Sequence, residues 1–282
     1  MKKIILPFTF LLLFTNSLKA DQWMTSFEDA QKIAVATNKF ILVDFWASWC
    51  GPCKRMDSES WSKPEVQELM ENFIPLKINI DLESSLSRKY GVRAIPFVFI
   101  IDPTGEIVFQ KMSYMRKSEV ISLLQNFSLK TNLMQKKYVS FLNKKSGDTA
   151  LELAESYLDF SIFLDKKVRS NFLKLANVYL KKSKSLFKKE GNKNKESQRL
   201  YLLSEVYRNT LKNNNIKAIT KIKNKFKESE IEEKNRTFYN FLNFTLYNKI
   251  GEKDKAKIWY DKLKKDNNYK LLLMKSRKIL SI

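Results

Sequence analysis

Cys50 and Cys53 are the only two cysteines in this 282-residue chain. With two residues between them, the second thiol lies one helical turn beyond the first. One sulfur can then attack a substrate disulfide and the other can resolve the mixed disulfide that forms. The attacking species is the thiolate, and an unperturbed thiol, with a pKa of about 8.5, is mostly protonated at neutral pH. If a helix begins at W-C-G-P-C, its free N–H groups and positive dipole end favour the thiolate of Cys50, leaving Cys53 as the resolving thiol. A bridge between the two would constrain almost none of the unfolded chain, so the pair is better suited to chemistry than to stabilising the fold. A structural zinc site normally takes four protein ligands, and the chain has no histidine and no third cysteine. Neither a metal nor a cofactor is required by this pattern.

Residues around the pair read as an α/β unit. Ser26 to Lys39 has helical spacing, and Phe40 to Phe45, FILVDF, reads as a buried strand with one carboxylate, Asp44. The W-C-G-P-C segment leads into a helix in which Pro52 falls in the first turn, where no intrahelical N–H is lost. A helix from Pro64 to about Glu71, a strand over Phe73 to Ile80 and a short helix over Asp81 to Tyr90 follow. Strands at Phe97–Ile101 and Ile107–Met112, joined by the turn DPTGE at 102–106, and a helix over Lys117–Phe127 complete the order αβαβαββα. This predicts a mixed central sheet covered by helices on both faces.

On these residues, the segment 41–55, ILVDFWASWCGPCKR, resembles the active-site segment of the thioredoxin superfamily, and the likeness runs over roughly residues 25–127. The resemblance implies an exposed first cysteine, a shielded second one, and a buried Asp in the preceding strand that assists proton transfer, here Asp44. A carboxylate flanked by residues that want burial should have a raised pKa and could take the Cys53 proton. The alternative is a carboxylate satisfied by local hydrogen bonds or by Lys77 on the neighbouring strand. Ile95-Pro96 in YGVRAIPFVFI matches the family's cis-proline loop, which faces the CxxC and pairs with the substrate backbone. Trp49, Gly51, Pro52, Ile95 and Pro96 are therefore expected to line the substrate surface, with Trp49 in core packing as the alternative. Lys54, Lys77 and Phe97 are assigned structural or modulating roles. Phe97 and the glycine-free KMSYM at 111–115 depart from the family pattern and place bulk beside the docking surface. MDSESWSKPEV at 56–66 resembles the corresponding stretch of exported and membrane-coupled disulfide reductases.

The first twenty residues have the three parts of a secretory signal: Lys2 and Lys3, an apolar run from Ile4 to Phe14, and a more polar stretch ending at Ala20. They place the protein in the periplasm or another exported compartment, with an uncleaved N-terminal membrane anchor as the alternative. The expected organisation is a signal over 1–20, a thioredoxin-like domain over 21–130 and a basic all-α domain over 131–282. The net charge of +22 is unevenly distributed: residues 21–130 carry thirteen basic and fourteen acidic side chains, while residues 131–282 carry thirty-six basic and sixteen acidic ones. The latter segment of 152 residues has no proline and only three glycines, with apolar residues at three- and four-residue spacing. Within it, Tyr247, Gly251, Ala256 and Tyr260 resemble packing positions of a tetratricopeptide unit, so the domain is either a degenerate helical repeat or an irregular bundle.

Gly51-Pro52 resembles the reducing members of the superfamily, and no basic residue between the cysteines points to a strong oxidant. The expected activity is reduction of protein disulfides, with a disulfide-containing protein as substrate and a membrane-linked electron donor. Disulfide oxidase or isomerase activity is one alternative, and a non-catalytic scaffold is another. For the basic half the candidate partners are a protein client or an anionic membrane surface. Export and the lack of a recognition motif disfavour nucleic acid.

Overall fold

The computed structural model describes residues 23–191 and 194–281. The expected signal, residues 1–20, lies outside them. Helix α1 (Phe27–Thr37) is capped by Ser26, whose hydroxyl accepts the Asp29 N–H at 3.2 Å, and ends at Asn38 in the left-handed conformation. Ala30 and Ala34 give it a narrow buried face against the sheet.

Strands β1 (Ile41–Trp46), β2 (Ile74–Asn79), β3 (Phe97–Ile101) and β4 (Ile107–Met112) form one sheet in the order β2-β1-β3-β4. β1 runs parallel to β2 and antiparallel to β3, and β3 pairs antiparallel with β4. This central position explains why β1 is apolar on both faces except at Asp44. Pro75 is tolerated because β2 is an edge strand: Ile74 and Ile80 donate inward to the Phe40 and Trp46 carbonyls, so residue 75 faces outward. There its carbonyl accepts the Met24 N–H at 2.8 Å, and a single bridge between Met24 and Leu76 covers the edge.

Helix α2 (Gly51–Met56) runs directly into one π-helical turn, Asp57–Trp61, which buries Ser60 and Trp61. The Ser60 hydroxyl donates to the Met115 carbonyl at 2.9 Å, tying this turn to the chain just after β4. Helices α3 (Pro64–Met70), α4 (Ser84–Lys89) and α5 (Lys117–Phe127) complete the α/β unit. The fold class is therefore a thioredoxin-like mixed sheet flanked by helices, followed by a helical region.

That region comprises α6 (Gln135–Asn143), α7 (Gly147–Ser161), α8 (Lys166–Lys189), α9 (Lys195–Leu211), α10 (Asn215–Lys225), α11 (Glu233–Lys249), α12 (Lys253–Leu263) and α13 (Tyr269–Leu280). Neighbours pack in the pairs α7/α8, α9/α10 and α11/α12. Ala256 is buried in α12. Gly147 starts α7, directly after the loop at 144–146. Ser146 caps that helix, and a methyl group on Gly147 would overlap the Phe187 ring of α8.

The two halves share a continuous apolar core: Phe40 and Phe127 both meet Phe172 of α8, with ring centroids 5.9 and 6.4 Å apart. The polar centre of this junction is Asp102, fully buried in the β3–β4 turn. It accepts the Thr104 and Glu106 N–H groups at 2.9 and 3.0 Å, the Tyr157 hydroxyl at 2.8 Å and the Tyr179 hydroxyl at 2.5 Å. Gln135 and Thr131 donate to main-chain carbonyls at the end of α1. The helices thus grip the end of the sheet where β1 begins, while the cysteines follow the end where β1 finishes.

Candidate active site

Cys50 is the N-cap of α2, and its Sγ accepts the Cys53 N–H at 3.1 Å. Pro52 occupies the first turn. The helix therefore points the Cys53 N–H, a donor of its first turn, at the first sulfur, the local feature that stabilises a thiolate there. The sulfurs are joined as a disulfide with a Cα–Cα distance of 5.3 Å. Cys50 is only 3% exposed and Cys53 2%, so the first cysteine does not stand clear of the surface as the family resemblance implied. The pair packs with Ala47 and against Trp46, Ile80 and Ile95.

Gly51 and Pro52 are exposed, and a Cβ at Gly51 would meet nothing within 4 Å. Trp49 is 66% exposed, which excludes core packing, and its Nε1 donates to Asp81 Oδ2 at 2.9 Å. This bond fixes the orientation of a large apolar plate beside the pair. The Ile95-Pro96 bond is cis, with Ile95 half-buried against the disulfide. Phe97 is 6% exposed, with its ring centroid 4.3 Å from that of Phe99, so its bulk enters the core instead of the docking surface. The reason is the strand's alternation: Phe97 and Phe99 share one face of β3, over the cluster containing Phe45 and Tyr90. The exposed bulk at this edge is Met112, the β4 partner of Phe97. Lys54 is exposed, and its backbone N–H donates to the Cys50 carbonyl at 3.1 Å.

Asp44 is 3% exposed, and burial pushes its carboxyl up to about 7. The Lys77 charge pulls it down and the Asp57 charge pushes it up. Lys77 lies opposite Asp44 in the β1–β2 register, but its ion pair is with Asp57. The ammonium also lies 5.4 and 5.2 Å from the ring centroids of Trp23 and Trp46. Asp44 Oδ1 and Trp61 Nε1 are both buried without a hydrogen-bond partner. Little therefore stabilises the Asp44 anion, and near neutrality the group can both accept and release a proton.

Sequence reasoning missed Asp57, Trp61 and Asp81. Asp57 stands four residues after Cys53, hence one turn further along the same helical face, which is the signal that could have found it. Trp61 and Asp81 reach the site only through the π-turn and the loop after β2, and no spacing points to them. Among the described residues, no group of three or more His, Cys, Asp or Glu side chains could hold a metal ion.

A thioredoxin-like domain family model matches residues 27–128. The chain is 34% identical to a thioredoxin of Chlorobaculum thiosulfatiphilum over 88 residues, 30% of this chain and 75% of that protein. It is 41% identical to thioredoxin-1 of Drosophila yakuba over 78 residues, 27% of this chain and 69% of that protein. The solution structure of a thioredoxin from Thermus thermophilus matches 38% of this chain and 88% of that one, at 23% identity and a TM-score of 0.35. The likeness to the two thioredoxin sequences covers the α/β half over more than two thirds of each relative's length, and on it the chain belongs to the thioredoxin family.

Proposed function

We propose that this protein reduces disulfides of protein substrates in an exported compartment, using the Cys50–Cys53 couple. The Cys50 thiolate attacks a substrate disulfide, forming a mixed disulfide and releasing one substrate thiolate. Asp44 takes the Cys53 proton, and the Cys53 thiolate attacks Cys50 Sγ. The Cys50–Cys53 disulfide forms, the second substrate thiolate leaves, and the substrate has gained two electrons. A dithiol donor, membrane-linked in this reading, returns two electrons to the couple. Trp49 and the Ile95-Pro96 loop would receive the substrate chain, since one is an exposed apolar plate next to Cys50 and the other packs against the disulfide.

The observation that carries this reading is the Cys50 sulfur at the N-terminus of α2, accepting the Cys53 N–H at 3.1 Å. Signal-like residues 1–20 and the Gly51-Pro52 dipeptide support export and the reducing direction. The test is turnover of a protein disulfide by the purified chain with a chemical dithiol as donor, together with the reduction potential of the couple. Turnover that is abolished in Cys50→Ser, with a potential in the range of reducing thioredoxins, about −270 mV, is expected. A potential near that of strong oxidants, about −120 mV, would sink the reducing direction. Absence of exchange by the intact chain would leave the α/β half as a scaffold.

A further inference from the structure

A cavity of about 320 Å³ opens between α8, α9 and the turn after α9, remote from the cysteines in the sequence and built on the helical half alone. Every charged side chain lining it is a cation: Lys166, Arg169 and Lys174 from α8, and Arg208 and Lys212 from the end of α9. Buried Leu173 and Leu211 supply apolar lining. Lys249, at the end of α11, closes the corner by donating to Asn213 Oδ1.

None of these six cations belongs to any ion pair found among the described residues, whereas fourteen other lysines and arginines do. Glu205, the carboxylate that acts on Arg208, is itself paired with Lys221. The guanidinium groups are instead held by main-chain carbonyls. Arg169 donates to Ser161 O at 3.1 Å and Leu164 O at 2.7 Å, and Arg208 Nε donates to Leu173 O at 3.2 Å. These contacts orient the cations without neutralising them, and the terminal nitrogens of Arg208 have no partner among the described residues. Burial holds Arg208 and Lys249 below their usual pKa ranges, and the Arg169 charge adds to the effect on Lys249. Arg208 and Lys249 are partly desolvated cations that an anion would relieve, and the exposed Lys166, Lys174 and Lys212 add positive charge around the cavity mouth. A planar carboxylate satisfies one guanidinium fork, but cations lining the cavity from both α8 and the end of α9 suit a tetrahedral dianion with oxygens in several directions.

We propose that this cavity binds a phosphate dianion, carried by a soluble phosphate compound or by a lipid headgroup. The test is calorimetric titration of the full chain with inorganic phosphate at constant ionic strength, alongside co-sedimentation with vesicles of phosphatidylcholine with and without phosphatidic acid. Saturable binding of phosphate is expected, weakened on the order of tenfold or more in R208Q/K249Q. K184Q/K188Q, which removes the same charge from exposed positions of α8, should bind as the parent does. Should R208Q/K249Q fail to fold, K174Q/K212Q at exposed positions of the cavity mouth is expected to show the same loss. Vesicle recruitment that requires phosphatidic acid and is displaced by phosphate assigns the lipid source. Phosphate binding without recruitment assigns the soluble one. Lack of saturable phosphate binding, equal weakening in the control variant, or tighter binding of an acidic peptide that phosphate does not displace would each overturn the assignment.

Discussion

At the scale of single residues, Asp44 gives function and stability opposite signs. The unfolded carboxyl ionises at the ordinary value of 3.8, and the folded one at about 7. Between these values the folded state holds the extra proton. The stability associated with Asp44 is therefore greatest below about pH 4, falls as pH rises through about 7, and is level above that. A shift of this size corresponds to up to about 4 kcal/mol. Asp44→Asn is expected to melt above the parent at pH 8 while closing its disulfide on the order of a hundredfold more slowly. The parent's rate should rise with pH through about 7, and the variant should lose that step; rapid-quench trapping of the mixed disulfide together with thermal melts checks both. The Cys spacing, the carboxylate in an apolar strand and the X-Pro loop were legible in the sequence because each is a local pattern. The shielding of Cys50, the inward turn of Phe97 and the capture of Lys77 by Asp57 were not. Each of these depends on which residue lies across a strand or helix, and one sequence does not supply that.

Among the elements, helix and strand positions follow from periodicity, and the structure shifts most boundaries by one to three residues. The π-turn at Asp57–Trp61 did not emerge because its register is set by burial of Ser60 and Trp61 and by the bond to Met115. Gly147 marks a break in the helical pattern, and the loop there is 144–146. A glycine is required at the first helical position of α7 because the Phe187 ring leaves no room for a Cβ. Gly147→Ala should therefore destabilise the α7/α8 pair by about 1–3 kcal/mol, since the buried ring must move to admit a methyl group. Chemical denaturation followed by far-ultraviolet dichroism would measure this, and no change in stability would show that the helices separate at little cost.

Across the whole molecule, the charge asymmetry marked two different halves, but not how firmly they join. DPTGE forms the turn its sequence predicts. Its Asp also anchors tyrosines 55 and 77 residues further on, a separation no local pattern encodes. Asp102→Ala removes the acceptor for both hydroxyls and for two turn N–H groups, at an expected cost of about 3–5 kcal/mol. Limited proteolysis should then release the helical half faster than in the parent. The isolated redox chemistry should persist, because the cysteines lie at the far end of β1, about 20 Å away along the strand. Unchanged proteolysis would show that the apolar contacts around Phe172 suffice. The shared core also has a consequence for bound partners. With no free tether between the halves, a molecule seated on the helices meets the disulfide at one fixed offset. Its effective concentration there is either high or close to nil according to its shape, and linker length has no part in setting it.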